Sequence, residues 1–198
     1  MRVTNFGMWF DCPRLLGVLN DRLYFSANDG TGSALWSTDG TSTGMVKVSP
    51  VYGSGGVLFH GSLYYLGYDA THGTELWKID GPGSGPSLVA DISPGSGSSY
   101  PSELTLFGGA LFFSANSGRS GREVWKTDGT AAGTVMVWGV DSGTGTRPPA
   151  PRFFAAEGDA LYFSANDETD TCRLWKTDGT LEGTVSIADV CAGDLVPF

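Results

Sequence analysis

The residues in this sequence that could do chemistry are mostly oxygen donors in short polar loops. Asn28-Asp29-Gly30-Thr31-Gly32 and Asn166-Asp167-Glu168 carry the hard ligands that Ca2+ takes, although neither has the twelve-residue EF-hand spacing. Calcium is therefore the one metal ion to test, and no other cofactor is expected. Asp39, Asp80, Asp128 and Asp178 recur before glycines. They read either as a repeated calcium or glycan contact or as turn residues whose carboxylates accept their own backbone N–H groups. The turn reading is the simpler one. Glu157, Asp159, Asp167, Glu168 and Asp170 form an acidic set that could supply the carboxylate pair of a glycosidase, or simply a solvated rim. His60 and His72 are the only histidines, which excludes a multi-histidine metal site. No nucleophile elbow, HExxH or CxxC occurs, and the glycine-rich stretches lack the Gly-Lys-Ser/Thr of a phosphate loop.

Aromatics are the other candidates, since an indole or phenol can stack on a sugar ring. Trp36, Trp77, Trp125 and Trp175 each sit between apolar neighbours and read as core between sheets. Trp138 and Tyr52 fall outside that frame and are the candidate ligand contacts.

These residues are positioned by a repeat. The four tryptophans are separated by 41, 48 and 50 residues, and the leucines that open a preceding apolar run, Leu23, Leu63, Leu111 and Leu161, by 40, 48 and 50. Periods of this length belong to propeller blades or to helical arrays. Short β-branched and aromatic runs alternate with Gly, Asn and Asp clusters, and no segment carries a 3.6-residue period, so the units are strands. Four strands are expected per unit, in the third at 103–107, 110–115, 123–127 and 133–137, with the last hairpin turning at Asp128-Gly129-Thr130. Adjacent apolar residues such as Leu35-Trp36 put apolar side chains on both faces, so each sheet needs cover on both sides. The expectation is an all-β chain: a four-bladed β-propeller, each blade a four-stranded antiparallel sheet. It forms a single domain over 1–198, with blades near 13–50, 53–92, 101–140 and 151–190 and closing segments at 1–12 and 191–198.

The recurring Leu-Trp-x-x-Asp-Gly-Thr, as in Leu35–Thr41, Val124–Thr130 and Leu174–Thr180, resembles the ELW-x-x-D-G-T repeat family of bacterial, often myxobacterial, secreted or surface proteins. The second unit departs from it, with Pro82 in place of Thr. The resemblance covers about residues 14–190 and implies a propeller-like fold in an extracellular or cell-surface protein, and little about activity. Propellers of the tachylectin type are similar in repeat length and bind sugars between blades.

Aligning the first unit on the third places Cys12 and Cys191 on connectors that a closed ring would bring side by side, predicting a Cys12–Cys191 disulfide with Cys172 unpaired. Four-bladed hemopexin-like domains are similar in size and join their first and last blades in this way. The alternative is ordinary thiols in half of an eight-bladed ring, so the chain is a monomer, or a dimer if the ring has eight blades. The N-terminus lacks the apolar core of a signal peptide, no 18-residue apolar run exists to insert in a membrane, and a net charge of −9 argues against nucleic acid. The function expected is a non-catalytic binding module for a glycan or a protein surface. The alternatives are a structural or adhesion repeat of a larger secreted protein, or a glycosidase or lactonase using the central funnel.

Overall fold

Four runs of Leu-aromatic-aromatic, opening at Leu23, Leu63, Leu111 and Leu161, become the second strands of four sheets. The computed structural model describes residues 12–41, 43–118, 121–139 and 150–190. The first sheet contains β1 (Arg14–Leu19), β2 (Arg22–Asn28), β3 (Ser33–Thr38) and β4 (Val46–Ser49), and the second β5 (Tyr52–Phe59), β6 (Ser62–Asp69), β7 (Gly73–Ile79) and β8 (Ser87–Ala90). The third contains β9 (Ser102–Phe107), β10 (Ala110–Asn116), β11 (Arg122–Thr127) and β12 (Val135–Trp138), and the fourth β13 (Arg152–Glu157), β14 (Ala160–Asn166), β15 (Cys172–Thr177) and β16 (Val185–Ala188). Each sheet is an antiparallel meander with its strands in sequence order. The fold class is that of an all-β, four-bladed β-propeller, each blade a four-stranded antiparallel sheet.

Two-sided burial is visible in β10, where Leu111, Phe112, Phe113, Ser114 and Ala115 are all buried although their side chains alternate between faces. Strand β14 repeats this at Leu161, Phe163, Ser164 and Ala165. A buried side chain of this size stabilises the fold by about 1.5–3 kcal/mol, so the middle strands carry most of each blade's stability.

The chain divides into two compact units, Met1–Asp91 and Ile92–Phe198, each holding two blades. In the first, Leu16, Leu19, Tyr24 and Leu35 pack with Val51, Leu63, Tyr65, Trp77 and Ile79 of the next blade. Gly56 allows the close approach of β5 to β1, since a Cβ there would lie 1.9 Å from the Leu16 carbonyl oxygen. In the second unit, Phe112, Val124, Val137 and Trp138 pack with Leu161, Phe163 and Ala165. The first strands of these two blades are also tied together: Glu103 Oε2 accepts the Phe153 N–H at 2.9 Å.

Two details depart from the sequence expectation. The fourth strand of the third blade begins at Val135 rather than at residue 133, because Gly133 and Thr134 belong to the preceding turn. The predicted Cys12–Cys191 bridge is not formed: Cys12 is free and exposed, and Cys172 is the disulfide-bonded thiol. That prediction assumed that the first and last connectors meet, whereas Cys172 opens a blade strand opposite Asn166. Cys191 and most of both closing segments lie outside the described residues. Iodoacetamide without reductant should therefore alkylate Cys12 and leave Cys172 unmodified until reduction. Peptide mass mapping reads this out, and an unlabelled Cys12 would contradict it.

Candidate functional site: an interblade cavity in the first unit

The Asp-Gly-Thr turns set the rim of each blade. Asp39 Oδ1 accepts both the Thr41 N–H at 2.9 Å and the Thr41 hydroxyl at 2.7 Å, and the Thr41 hydroxyl oxygen accepts the Gly44 N–H at 3.0 Å. The same bonds recur from Asp128 through Thr130 to Gly133 and from Asp178 through Thr180 to Gly183. The motif is thus Asp-Gly-Thr-x-x-Gly. Its last glycine is required because a Cβ at Gly44, Gly133 or Gly183 would sit 1.8–2.1 Å from the aspartate Oδ1. The Thr41 and Thr180 hydroxyls hold the Asp39 and Asp178 carboxyls below the usual carboxylate range.

The second blade breaks this motif. With Pro82 in place of Thr, the Asp80 carboxylate turns instead to the Ser62 hydroxyl at 2.6 Å and Lys78 at 3.4 Å. Gly81-Pro82-Gly83-Ser84 closes as a turn, with the Ser84 N–H donating to the Gly81 carbonyl at 3.2 Å. Proline at the second position and a glycine with φ of 85° at the third make it type II.

This departure opens a cavity. In the second unit, Lys126 crosses from β11 to donate to the Gly179 carbonyl at 2.8 Å. The Phe112 ring stands against the same turn, 3.1 Å from where a Gly179 Cβ would be. In the first unit the residue equivalent to Lys126 is the short Ser37, and Gly81 faces Asn20 rather than an aromatic ring. The result is a cavity of about 370 Å³ between the first blade and the turn of the second. It is lined by Arg22, Tyr24, Ser37, Val46, Lys47 and Val48 on one side and Pro82, Gly83, Ser84 and Gly85 on the other. Its volume falls within the range of small-molecule sites.

Arg22 is braced by its own blade, with Nε donating to the Ser37 hydroxyl at 3.2 Å and Nη2 to the Gly44 carbonyl at 2.5 Å. Lys47 donates to Asp29 at 2.9 Å and lies over the Trp36 ring, 5.6 Å from its centroid. Tyr24 is buried, and burial raises its phenol pKa. The cavity thus offers nitrogen and hydroxyl donors beside aliphatic and aromatic surface.

The structure distributes the sequence candidates widely. Trp138, read as a ligand contact, is 6% exposed and packs 4.6 Å from Trp175 and 5.4 Å from Phe163. It fills space between two blades of the second unit and offers no face to a ligand. Tyr52 is half-buried and pairs across the strand with Tyr68 at 5.5 Å, outside the cavity lining. Trp77 is buried, while Trp36, Trp125 and Trp175 are half-buried. Indole Nε1 donates to the Glu123 carboxylate from Trp125 and to the Ala165 carbonyl from Trp175.

In both calcium candidates the aspartate oxygens already accept hydrogen bonds. Asp29 Oδ1 accepts from Thr31 and Oδ2 from Lys47. Asp167 Oδ1 accepts from Thr169 and Thr171 and Oδ2 from Arg173. A calcium ion at either loop would have to displace a resident cation. Among the described residues, no three His, Cys, Asp or Glu side chains are grouped for a metal ion.

The acidic set of the fourth blade is not one cluster. Glu157 and Asp159 precede β14, whereas Asp167, Glu168 and Asp170 follow it, which puts about 20 Å of strand between them at ~3.3 Å per residue. His72 Nδ1 lies 3.0 Å from Asp69, whose carboxylate raises the imidazole pKa. His60 stacks on Phe59 at 3.9 Å. Arg22, Ser37 and Lys47 were not candidates in the sequence. The signal that finds them is the departure from the repeat, in which Ser37 replaces a lysine present at 78, 126 and 176.

No family model matches the chain, and no curated protein does either. Among solved structures, a Bacteroides ovatus xyloglucan-locus GH43B protein aligns over 93% of this chain and 41% of its own, at 12% identity and a TM-score of 0.43. A structure from a study of two prolyl endopeptidases aligns over 89% of this chain and 26% of its own, at 13% identity and a TM-score of 0.52. An α-L-arabinofuranosidase from Clostridium thermocellum aligns over 91% and 74%, at 12% identity and a TM-score of 0.37. The chain thus spans less than half the length of the first two. At such identities the likeness is one of fold alone.

Gly133→Ala should destabilise the second unit by about 1–3 kcal/mol, the range for forcing extra volume into a packed site. Gly85→Ala should be close to neutral, because a Cβ there meets nothing within 4 Å. Chemical denaturation of the two variants checks this, and equal midpoints would contradict the turn geometry. Because the Asp39 and Asp178 pKa values are depressed on folding, their contribution is fully present above the unfolded carboxylate range near ~3.9 and is lost as pH falls through the folded values. The thermal midpoint of the wild type should therefore drop more steeply between pH 4 and pH 2, both approximate, than that of Asp178→Asn. Parallel curves would contradict this.

Proposed function

We propose that this protein is a non-catalytic β-propeller binding module that takes a saccharide unit in the cavity between its first two blades. The observation that carries the reading is the cavity itself. It lies where the second blade abandons Asp-Gly-Thr-x-x-Gly and where the first replaces the repeat lysine by Ser37. Departures lie on both sides of this gap, whereas across the equivalent gap in the second unit Lys126 bonds to the Gly179 carbonyl and the Phe112 ring stands against the same turn.

The lining suits a sugar. A pyranose presents hydroxyls around its edge and C–H groups on its faces, and so asks for directed donors beside apolar surface. Arg22, Ser37 and Lys47 supply the donors, while Val46, Val48, Pro82 and Tyr24 supply the surface. Arg22 is already held by two hydrogen bonds within its own blade. Little side-chain entropy is then lost on binding. The reading fits an extracellular or surface setting, where glycans are the available ligands.

A glycan array followed by calorimetry on its strongest hit tests the proposal. Gly85→Trp should fill the mouth of the cavity without straining the backbone. It should weaken binding at least about tenfold, equivalent to ~1.4 kcal/mol, at an unchanged thermal midpoint. Undiminished binding by that variant would place the ligand elsewhere.

A further inference from the structure

We infer that the saccharide this cavity selects is an acidic one, whose ring carboxylate is received by Arg22 with Lys47 as a second cation. The inference rests on the saccharide reading above and adds the class of sugar. Its first support is the charge of the lining. Among the described residues, Arg22 and Lys47 are the charged side chains that line the cavity, and no carboxylate does, in a chain whose net charge is −9. Lys47 is itself paired with Asp29 at 2.9 Å, which makes Arg22 the cation that decides the preference. Both cations are particular to the first blade. The positions equivalent to Arg22 are Ser62, Ala110 and Ala160, and those equivalent to Lys47 are Leu88, Met136 and Ser186.

The second support is the geometry of Arg22. Its Nε and one Nη2 hydrogen are taken by Ser37 and the Gly44 carbonyl, which fixes the plane of the guanidinium. Among the described residues, the carboxylate paired with Nη1 is Asp39, whose Oδ2 lies 4.0 Å away, beyond hydrogen-bond reach. Asp39 cannot move closer without breaking its turn, since its Oδ1 accepts both the N–H and the hydroxyl of Thr41. The turn that shapes the rim thereby leaves Asp39 an ion-pair partner of Arg22 with no hydrogen bond to its Nη1. A planar fork with donors left over, one-fifth exposed, suits the two oxygens of a carboxylate better than a lone hydroxyl. Partial removal from water strengthens that preference.

The carboxylate could belong to a uronate or to a sialate, and the probes separate the two. Calorimetry would compare trigalacturonate with its methyl ester, and 3′-sialyllactose with lactose, each against the full chain. The expected result is that one of the acids binds at least about tenfold more tightly than its neutral counterpart, that Arg22→Gln abolishes the difference, and that raising salt from about 50 to 500 mM weakens the acid alone. Arg22→Lys keeps the charge and loses the fork. It should retain a fraction of the preference, and it replaces Arg22→Gln in the comparison if that variant melts early. Equal binding of acid and neutral partner would overturn this inference and leave the saccharide reading standing. Acid binding that Arg22→Gln and Arg22→Lys leave intact would also overturn it. Binding of neither member of either pair, together with an empty glycan array, would bring down the saccharide reading itself.

Discussion

A strand that is apolar on both of its faces cannot rest against water on either side, and everything else in this molecule follows from that. Leu111 through Ala115 is buried without a break although alternate residues point in opposite directions. Such a strand needs hydrogen-bonded neighbours in its own sheet and packed sheets on both faces. Four short meanders with this property use nearly the whole chain. The rims then fall to polar turns, where backbone groups must be satisfied locally.

Those turns are self-sufficient. An aspartate oxygen takes two donors from the threonine two residues on, the threonine hydroxyl takes a third from the following glycine, and no neighbouring blade is needed. This explains why the rim motif can recur unchanged on blades with different neighbours. It also explains why losing it has a local effect: Pro82 removes the threonine and Asp80 is released to Ser62. The turn then reforms as a type II turn that leans on Asn20, away from the aromatic ring of the neighbouring blade.

A repeat protein makes sites by breaking its own rules, since what is repeated is occupied with holding the fold. Trp138 is instructive here. It breaks the repeat, yet it does so by filling a gap between blades against Trp175 and Phe163. Ser37 breaks it in the opposite sense by removing a long side chain. Two departures from one pattern thus lead to a packed aromatic core in the second unit and to an open, cation-lined cavity in the first. Side-chain volume decides between the two outcomes.

The number of blades, the order of their strands, the two-sided burial and the place of the polar turns were all legible in the chain. They depend on periodicity and on residues adjacent in sequence. The terminal glycine of the turn motif was not read, and residue 133 was assigned to a strand, because the carboxylate that excludes a side chain there comes close only once the turn has formed. The cavity could not be read either. It depends on Ser37 and Pro82 meeting across a gap that linear spacing does not reveal, where in the second unit Lys126 reaches the Gly179 carbonyl. The bonding of the cysteines failed for a related reason, since connector alignment gives no distance between two connectors. Local hydrogen bonding and hydrophobic period are properties of a segment, whereas empty space and the pairing of distant side chains exist only after the segments have packed.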